Sequence, residues 1–456
     1  MTTSRTLALI LTALAAAPAA FAQQPATPDT TGMLRVQLAN VRRVTLREAL
    51  DDARQNAPAM VQAQQNVRIS DMSRMQAWAA YLPSISGSGS SSKSSSQRVN
   101  QFGTVTTGAP TNNSSFGLNA NLNLFTGFQR GANSRLAAAT SAENEAALIA
   151  QQYTTDLTTK QAFFTELADE ELVTVAVTQV RRSQEQLKLT SEKLRLGATT
   201  RADSLSAQVD FGTQQLALIQ ARANALTARA NLARAIGFVG SVAGIPDTAL
   251  ETRITSLDTA ALRRDAMQNA PSVVEAQEAV AAARASLSAT RSSILPTLSA
   301  SASQRWAGSV LFPWSTAAAG STGTKYTGTW SLSLSLSYPI FNNFQREAGI
   351  VQADANVVAN EAKFRDARLA LDANLTQALA ALDAAGQQID VSRTQVAAAQ
   401  ENLRMQRERY RLGASTIVDM LTAEVSTNQA EVSLVQARYN YLIARAQLEA
   451  YVGHSL

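Results

Sequence analysis

The feature of the sequence that most constrains the fold is an internal repeat, because one set of motifs occurs twice in the same order. Asn56-Ala57-Pro58 recurs as Asn269-Ala270-Pro271 after 213 residues. Arg195-Leu196-Gly197-Ala198 recurs as Arg411-Leu412-Gly413-Ala414 after 216 residues. Such self-similarity predicts a chain that folds as two copies of one unit. The three extra residues fit a surface loop, where insertions are tolerated best.

The repeat divides the 456 residues into two copies, 45–237 and 258–453, joined by a connecting segment at 238–257. Residues 1–22 combine Arg5, a short apolar run and an Ala20-Phe21-Ala22 site, a pattern typical of a secretory signal peptide. A membrane anchor is the alternative, but the run is shorter than the ~20 apolar residues that span a bilayer. Residues 23–44 form an N-terminal extension without a clear pattern, and residues 454–456 form a C-terminal tail.

Each copy contains a segment in which apolar and polar residues alternate, as in a strand with one apolar and one polar face. From Phe116 to Leu124 the apolar residues alternate with glycine and asparagine, and from Trp330 to Tyr338 they alternate with serine. A weaker Ser-rich segment precedes each of them, so we predict β-hairpins at about 84–125 and 297–340. Three tryptophans in the second hairpin region suit an aromatic girdle at a membrane surface, with a small soluble sandwich as the alternative: Trp306, Trp314 and Trp330.

Four amphipathic strands are too few to form a membrane structure alone, since lipid leaves the backbone groups of an open sheet edge unpaired. A closed outer-membrane barrel needs at least ~8 strands. Two chains would supply eight, but the interior of an eight-stranded barrel is only wide enough for side chains. The Ser-rich and Asn-rich face suits a water-filled lumen, so the pattern favours three chains and a barrel of 12 strands.

Long helices without strong interruptions follow each predicted hairpin. The stretch from Gly127 to Leu196 is roughly 70 residues, or about 100 Å as a helix. In the second copy, apolar residues recur every seven positions from Leu375 to Tyr410, and a 3-4 spacing continues from Val418 to Ala446. Heptads predict supercoiled packing. We expect these helices to form the walls of a tube or bundle without a globular core, and the two helices at each turn to have similar lengths.

The ends of the first helix of each copy carry local signals. Thr45-Leu46-Arg47-Glu48 has the pattern of a capping box, in which the Thr and Glu side chains each accept from a backbone N–H. Asp258 is the matching cap in the second copy. Pro83 and Pro296 are expected to end these helices, because proline lacks the N–H that a helix interior uses.

The composition argues against chemistry. The chain has no Cys and one His, His454, which leaves no thiol nucleophile, no thiolate or His-rich metal site and no lipid-modified cysteine. There is no P-loop and no Gly-x-Ser-x-Gly motif, so a secreted hydrolase is disfavoured. The formal net charge of +5 is spread along the chain, without the clustered basic face of a nucleic-acid-binding protein. We therefore predict a protein that is not an enzyme and has no cofactor or metal.

The tandem repeat, the hairpin in each copy and the two Arg-Leu-Gly-Ala turns together resemble the TolC-type outer-membrane efflux channel family. The resemblance covers about residues 45–453. It implies a mainly helical homotrimer with a shared 12-stranded barrel in the lipid of the outer membrane of a Gram-negative-type cell. It also implies an α-helical tunnel across the periplasm. Such a protein is a passive exit duct, joined by a periplasmic adaptor (membrane fusion) protein to an inner-membrane pump or to the ABC transporter of a type I secretion system.

The two turns are the first candidate site. Gly197 and Gly413 stand where a long helix reverses direction, and glycine adopts positive φ without steric cost. The basic residues before them suit the C-terminus of a helix whatever the function. The resemblance adds that the turns form the periplasmic tip that contacts the adaptor: Arg195, Leu196 and Gly197 in the first turn, and Arg411, Leu412 and Gly413 in the second.

The resemblance also implies a gate at this tip. Asp419 matches an acidic position that, repeated in three chains, lines the narrowest part of the tunnel and favours cations. A second acidic ring of the family corresponds to Thr422, which predicts weaker cation selectivity. The alternative for Asp419 is a carboxylate that stabilises a helix N-terminus by about 0.3–1 kcal/mol.

In the family pattern, a closed-state latch joins an Asp of the first turn to a Tyr and an Arg of the second. Asp203 and Tyr410 match the first two positions, but Ser415 stands at the Arg position. Arg201 lies close by in sequence as a candidate replacement. A different class of function also fits the helices: a secreted trimeric coiled-coil stalk or adhesin without a pore, which would need neither two hairpins nor a polar face opposite each apolar one.

Overall fold

The fold is described from a computed structural model over residues 41–99, 101–108, 111–246, 258–308 and 327–454. The chain divides into a unit ending at Val41 and a unit from Arg42 to the C-terminus, and the second unit is the subject below. Several predicted features lie outside the described residues: the signal peptide at 1–22, most of the extension at 23–44, the second half of the connecting segment, and Trp314.

The first copy contains five helices or strands of more than ten residues outside the small pairings described below. After a short strand β1 (Val41–Val44) come helices α1 (Leu46–Asn56) and α2 (Pro58–Ala79). The sheet region follows, and the copy ends with the long helix α3 and the shorter helix α4. The bounds are β2 (Ser84–Ser94), β3 (Gln97–Val99), β4 (Val105–Thr107), β5 (Thr111–Phe125), α3 (Gln129–Arg195) and α4 (Arg201–Ala235).

The second copy repeats this order after a short strand, β6, in the connecting segment. Its elements are β6 (Ser241–Gly244), α5 (Thr259–Asn269), α6 (Pro271–Arg291), β7 (Thr297–Gly308), β8 (Thr327–Ser337), α7 (Gln345–Arg411) and α8 (Ile417–Val452). Both long helices begin after a phenylalanine in the left-handed region, Phe128 (φ 65°) and Phe344 (φ 59°). The two copies therefore match in backbone detail as well as in element order.

The predicted caps are confirmed, but one predicted helix per copy is in fact two. Thr45 and Glu48 form the capping box, and Asp258 accepts from two backbone N–H groups of α5. Pro58 and Pro271 each begin a second helix, because proline is favoured at the first helical position and prevents the preceding residue from continuing a helix. The sequence prediction overlooked this break.

The prediction that Pro83 and Pro296 end the helices is wrong in detail. The helices end earlier, at Ala79 and Arg291, and a 3₁₀ turn follows the second from Ser292 to Ile294. The prolines occupy the residue directly before β2 and β7. They therefore mark the entry into the sheet.

The two helices at each turn differ in length by almost a factor of two, contrary to the prediction. α3 and α7 have 67 residues each, whereas α4 has 35 and α8 has 36. The short helices α2 and α6 pack against α3 in the remaining length, as the contact between Asp71 and Ser141 shows. Each long helix is thus covered by one partner near the sheet and by another near the turn.

The strands form an antiparallel sheet in the order β2–β5–β7–β8, which joins the hairpins of both copies. Serine and asparagine side chains meet across neighbouring strands, for example Ser301 with Ser333 at 2.7 Å and Ser303 with Ser331 at 2.8 Å. The predicted alternation is confirmed, since one face is polar throughout and the other carries the apolar residues. β2 and β8 are the edges of this sheet, and neither pairs with another strand of the described chain. A small hairpin of β3 and β4 caps the loop after β2.

A compact core lies about midway along the helices, so the expectation of no globular core is wrong. Strands β1 and β6 pair with each other and contribute Val44 and Val242, both buried. Phe163, Leu375 and Leu448 pack in the same cluster, from α3, α7 and α8. The end of the N-terminal extension and the start of the connecting segment therefore close the bundle together, a non-local pairing that no motif indicated.

Candidate functional site

The two turns at the ends of the helical hairpins have the same geometry. Gly197 (φ 73°) and Gly413 (φ 76°) adopt the left-handed conformation expected of a residue that ends a helix. In the first turn, Ala198 N–H donates to Lys193 O at 2.8 Å, and Ala414 N–H donates to Arg409 O at 2.8 Å in the second. These bonds satisfy carbonyls that the helix leaves unpaired. A side chain at either glycine would be strained, so glycine is a structural requirement there.

Both predicted gate carboxylates serve as local caps. Asp203 forms a capping box with Thr200 at the start of α4, and Asp419 forms one with Thr416 at the start of α8. The hydrogen bond from Thr199 Oγ1 is the main cause that lowers the pKa of Asp203. The bond from Thr416 Oγ1 lowers the pKa of Asp419 in the same way. Both groups are therefore ionised at neutral pH, and the capping role of Asp419 is confirmed.

Tyr410 anchors the tip from inside. Its ring is buried in a small apolar cluster with Ala207, Ile417 and Met420, from three different helices. The Nζ of Lys193 lies 4.3 Å from the ring centroid and donates to the carbonyl oxygen of Tyr410 at 3.2 Å. Lys193 was not predicted, and no sequence signal distinguishes it, because its repeat counterpart is the equally basic Arg409.

Three of the predicted latch residues line one open cleft of about 510 Å³ between the two turns: Asp203, Tyr410 and Ser415. Asp203 and Tyr410 are not hydrogen-bonded to each other. The hydroxyl groups of Tyr410 and Ser415 are buried and find no hydrogen-bond partner among the described residues. Arg201, the suggested substitute for the missing Arg, is exposed and forms no ion pair with the described part of the chain.

Helix α4 carries an apolar seam that nothing in the described chain covers. Its residues repeat at heptad spacing in two series, one running through Leu205, Gly212, Ile219 and Leu226 and the other through Val209, Leu216 and Ala223. Leu216 is 69% exposed and Ile219 is 63% exposed. The opposite side of the helix is buried on α3 through residues such as Ala228 and Leu232.

Helices α7 and α8 expose seams of the same kind. On α7, Val391 and Met405 are exposed, and Ala384 and Ala398 continue the heptad. The predicted inward seam of α7 is confirmed at Leu375, Leu382, Leu403 and Tyr410. On α8 the prediction is wrong at Val418 and Val425, which are 63% and 58% exposed. The first turn of α8 is rotated so that Ile417 and Met420 pack on Tyr410 instead.

The apolar face of the sheet is also uncovered. Trp330 is 78% exposed, and Ile85, Leu118 and Leu332 are exposed on the same face. Trp306 stacks on Phe116 with ring centroids 5.7 Å apart. An exposed apolar surface of this extent is typical of a lipid or protein contact.

Two further searches concern the described residues alone. No described helix is long and apolar enough to cross a membrane. No group of three or more acidic or histidine side chains in the described ranges is arranged to hold a metal ion.

A repeated unit of a sheet with open edges, long helical hairpins and uncovered seams defines a subunit of an assembly that includes an apolar environment. The model of the outer membrane efflux protein family matches residues 49–238 and 262–454, and the chain belongs to this family. It is 28% identical over 138 residues to the outer membrane protein TolC of Escherichia coli (strain K12), a segment that covers 29% of this chain and 28% of TolC.

Solved structures share the fold at low sequence identity. The chain matches a structure of CusC with a TM-score of 0.72 and 20% identity, over 90% of this chain and 92% of that one. It matches the open state of the MtrE outer membrane channel of Neisseria gonorrhoeae with a TM-score of 0.69 and 22% identity, over 90% and 89% of the chains. These relatives are channel proteins.

Proposed function

We propose that this protein is the subunit of a trimeric, passive and gated exit duct of the outer membrane, with its helices extending into the periplasm. The observation that carries the proposal is the four-stranded sheet, which has a lipid-compatible face, a hydroxyl-lined face and two unpaired edges. Family membership supports the outer-membrane location. No step of this function requires catalysis.

The open edges set the number of copies. Lipid does not supply hydrogen bonds to the backbone of β2 and β8, so each edge must pair with the sheet of another copy. Two copies would give an eight-stranded barrel, whose interior side chains fill it. Three copies give 12 strands and leave a water-filled lumen lined by serine and asparagine. The trimer is therefore the smallest assembly that is both closed and conducting.

The helical seams supply an independent argument for neighbouring copies. On α4, Leu205, Gly212 and Ile219 stand 8, 15 and 22 residues after the turn glycine Gly197. On α7, Met405, Ala398 and Val391 stand 8, 15 and 22 residues before Gly413. An α4 seam and the α7 seam of a neighbour therefore match in an antiparallel heptad register, with small residues opposite small ones. Another copy of this chain is the occupant whose spacing fits.

The tip is the part that we assign to gating and docking. The turns carrying Gly197 and Gly413 lie at the ends of the helices opposite the sheet, where a periplasmic adaptor protein would contact them. Asp419 of three copies would place three ionised carboxylates around the narrowest part of the tunnel, a ring that favours cations. Asp203, Tyr410 and Ser415 line the cleft between the turns, so closure would involve these side chains.

The transported compound enters from elsewhere in such an assembly. The duct would receive it from an inner-membrane pump or ABC transporter through the adaptor, as part of a tripartite efflux or type I secretion system. Selection of the compound then belongs mainly to the inner-membrane component. This division of labour agrees with a chain whose described surface contains long seams and a lumen wall but no enclosed ligand site.

The test is the native mass of the detergent-extracted protein, followed by conductance in a planar lipid bilayer. We expect a three-chain particle that requires detergent and conducts ions. A monomer that is soluble without detergent would contradict the duct. A trimer that is released by salt and does not conduct would instead support a coiled-coil stalk or adhesin, the alternative that the helices alone leave open.

A further inference from the structure

The strand regions carry an unusual share of the charge. Residues 84–125 and 297–338 contain none of the 35 acidic residues of the chain, but they contain four basic ones: Lys93, Arg98, Arg305 and Lys325. These four account for most of the formal net charge of +5. The helical part of the protein is therefore close to neutral, and the sheet part is positive.

Only one of these cations lies on the polar face of the described sheet. The polar face consists of serine, threonine, asparagine, glycine and alanine, apart from Arg305 in β7. Arg305 pairs with Gly117 of β5 and with Thr329 of β8, and both neighbours are uncharged. Lys93 of β2 lies on the other face, since it alternates with the serines that pair with the polar face of β5. No described carboxylate forms a salt bridge with Arg305.

The surroundings of Arg305 hold the guanidinium against the wall but leave it open to the lumen side. Its Nη2 donates to Ser115 Oγ at 3.2 Å, and Ser115 in turn lies 3.0 Å from Ser90 Oγ. Gly117, directly opposite, has no side chain to cover the arginine. Arg305 is exposed, and four of the five N–H groups of its guanidinium remain for other acceptors.

The position of Arg305 along the strand places it near the end of the sheet that is far from the helices. Eight residues separate Thr297, the first residue of β7, from Arg305, which is about 26 Å along a strand. With the usual strand tilt of a barrel this is roughly 20 Å along the barrel axis. Trp306 and Phe116 stack at the same level on the apolar face, as aromatic residues do at the membrane interface.

We infer that Arg305 forms a ring of three guanidinium groups at the outer mouth of the duct and makes this mouth selective for anionic solutes. The inference rests on the proposed trimer, because three copies are needed for the ring. An isolated cation on a neutral hydroxyl wall raises the local concentration of anions and lowers that of cations. The duct would then have opposite charges at its two ends, Asp419 at the tip and Arg305 at the mouth.

The experiment is the reversal potential of the purified full-length channel in a planar bilayer under a KCl gradient. Ionic strength is kept near 0.01 M, where the Debye length of about 30 Å lets the ring act across a lumen. The recordings use an Asp419→Asn background, so that the tip carboxylates do not mask the mouth. The variants are Arg305→Gln, Arg305→Glu and Arg305→Lys, and the matched control is Lys93→Gln, which removes the same charge from the opposite face.

We expect Arg305→Gln to lower the permeability ratio of chloride to potassium about twofold or more, and Arg305→Glu to invert the preference. Arg305→Lys and Lys93→Gln should keep the selectivity, and about 1 M KCl should abolish all differences, because the Debye length falls to about 3 Å. An unchanged ratio in both Arg305→Gln and Arg305→Glu would overturn the inference, as would an equal shift in Lys93→Gln. Absence of any conductance in the unmodified channel would instead overturn the proposed duct.

Discussion

The ammonium group of Lys193 lies over the ring of Tyr410, 4.3 Å from its centroid, and also donates to the carbonyl oxygen of the same residue at 3.2 Å. Lys193 belongs to the first copy and Tyr410 to the second, near the ends of the two long helices. This double contact joins two helical turns that are 216 residues apart in sequence. It therefore couples the two hairpins at the tip, where the proposed gate lies.

Replacement of Lys193 by glutamine should loosen the tip. The change removes a cation–π contact worth about 0.5–2 kcal/mol and a hydrogen bond from a charged donor. We expect faster hydrogen exchange of the amides around Gly197 and Gly413, measured by mass spectrometry. Lys188→Gln is the matched control, since Lys188 is exposed on the same helix. Equal exchange in both variants would show that the contact does not hold the turns together.

The predicted latch can be separated from local stability because Tyr410 Oη has no hydrogen-bond partner in the described chain. Tyr410→Phe removes no bond within one chain, so the thermal midpoint of the protein should stay unchanged. Asp203→Ala removes the cap of α4, which costs about 1 kcal/mol. If the two side chains form a latch only in the closed trimer, the double variant should raise the single-channel conductance several-fold.

The control for this experiment is Thr416→Ala, which removes the equivalent cap of α8 without altering a latch residue. Conductance of the double variant equal to that of the unmodified channel would remove the latch from the model of gating. A rise in Thr416→Ala as large as in the double variant would assign the effect to helix fraying.

The α4–α7 register can be tested by disulfide formation, which is clean here because the protein has no cysteine of its own. Ile219→Cys and Val391→Cys stand at equal distances from their turns, so one chain should cross-link to the next. We expect two-chain and three-chain bands on non-reducing gels after mild oxidation. Thr213→Cys combined with Val391→Cys is the control, because Thr213 is exposed on α4 outside the seam. Monomer bands in the first pair, or equal cross-linking in both pairs, would contradict the register.

The features that could be predicted from the sequence are those with a local or periodic cause. The capping boxes at Thr45 and Asp419 and the alternating strands follow from spacings of two to four residues, and the inward heptad of α7 from a period of seven. The rotation of α8 could not be predicted, because Val418 and Met420 are both apolar and only the packing of Met420 beside Tyr410 selects the inward one.

Non-local pairings escaped the sequence entirely. The strand ending at Val44 pairs with the strand containing Val242, and neither segment alternates long enough to give a periodic signal. The half-length of α4 and α8 has the same origin, since nothing in the heptads of α3 states that α2 covers its other half. Of the candidate site, the turns and caps were predictable, but Lys193 and Arg305 gain their significance only from residues that the fold brings beside them.

The last prediction concerns Glu166, a buried carboxyl where α3 meets β6. Its side chain is fully buried, accepts a hydrogen bond of 2.8 Å from Gly244 N–H, and lies 3.6 Å from Arg229 Nε. Burial is the main cause that raises the pKa of Glu166 to about 7. The folded protein therefore holds this proton more tightly than the unfolded chain, whose carboxyl titrates near its ordinary value of about 4.3.

Stability from this group is thus fully present below pH ~4.3 and is lost as the pH rises through about 7. The shift corresponds to a contribution of up to about 3 kcal/mol. Glu166→Gln keeps an acceptor for Gly244 and removes the titration, so the variant should be more stable than the parent at pH 8 and similar at pH 4.5. The measurement is the thermal midpoint in detergent across this range, with Glu170→Gln as the control on the same helix. A parent midpoint that rises from pH 4.5 to 8 by as much in Glu166→Gln as in the unmodified protein would assign the pH dependence to other groups.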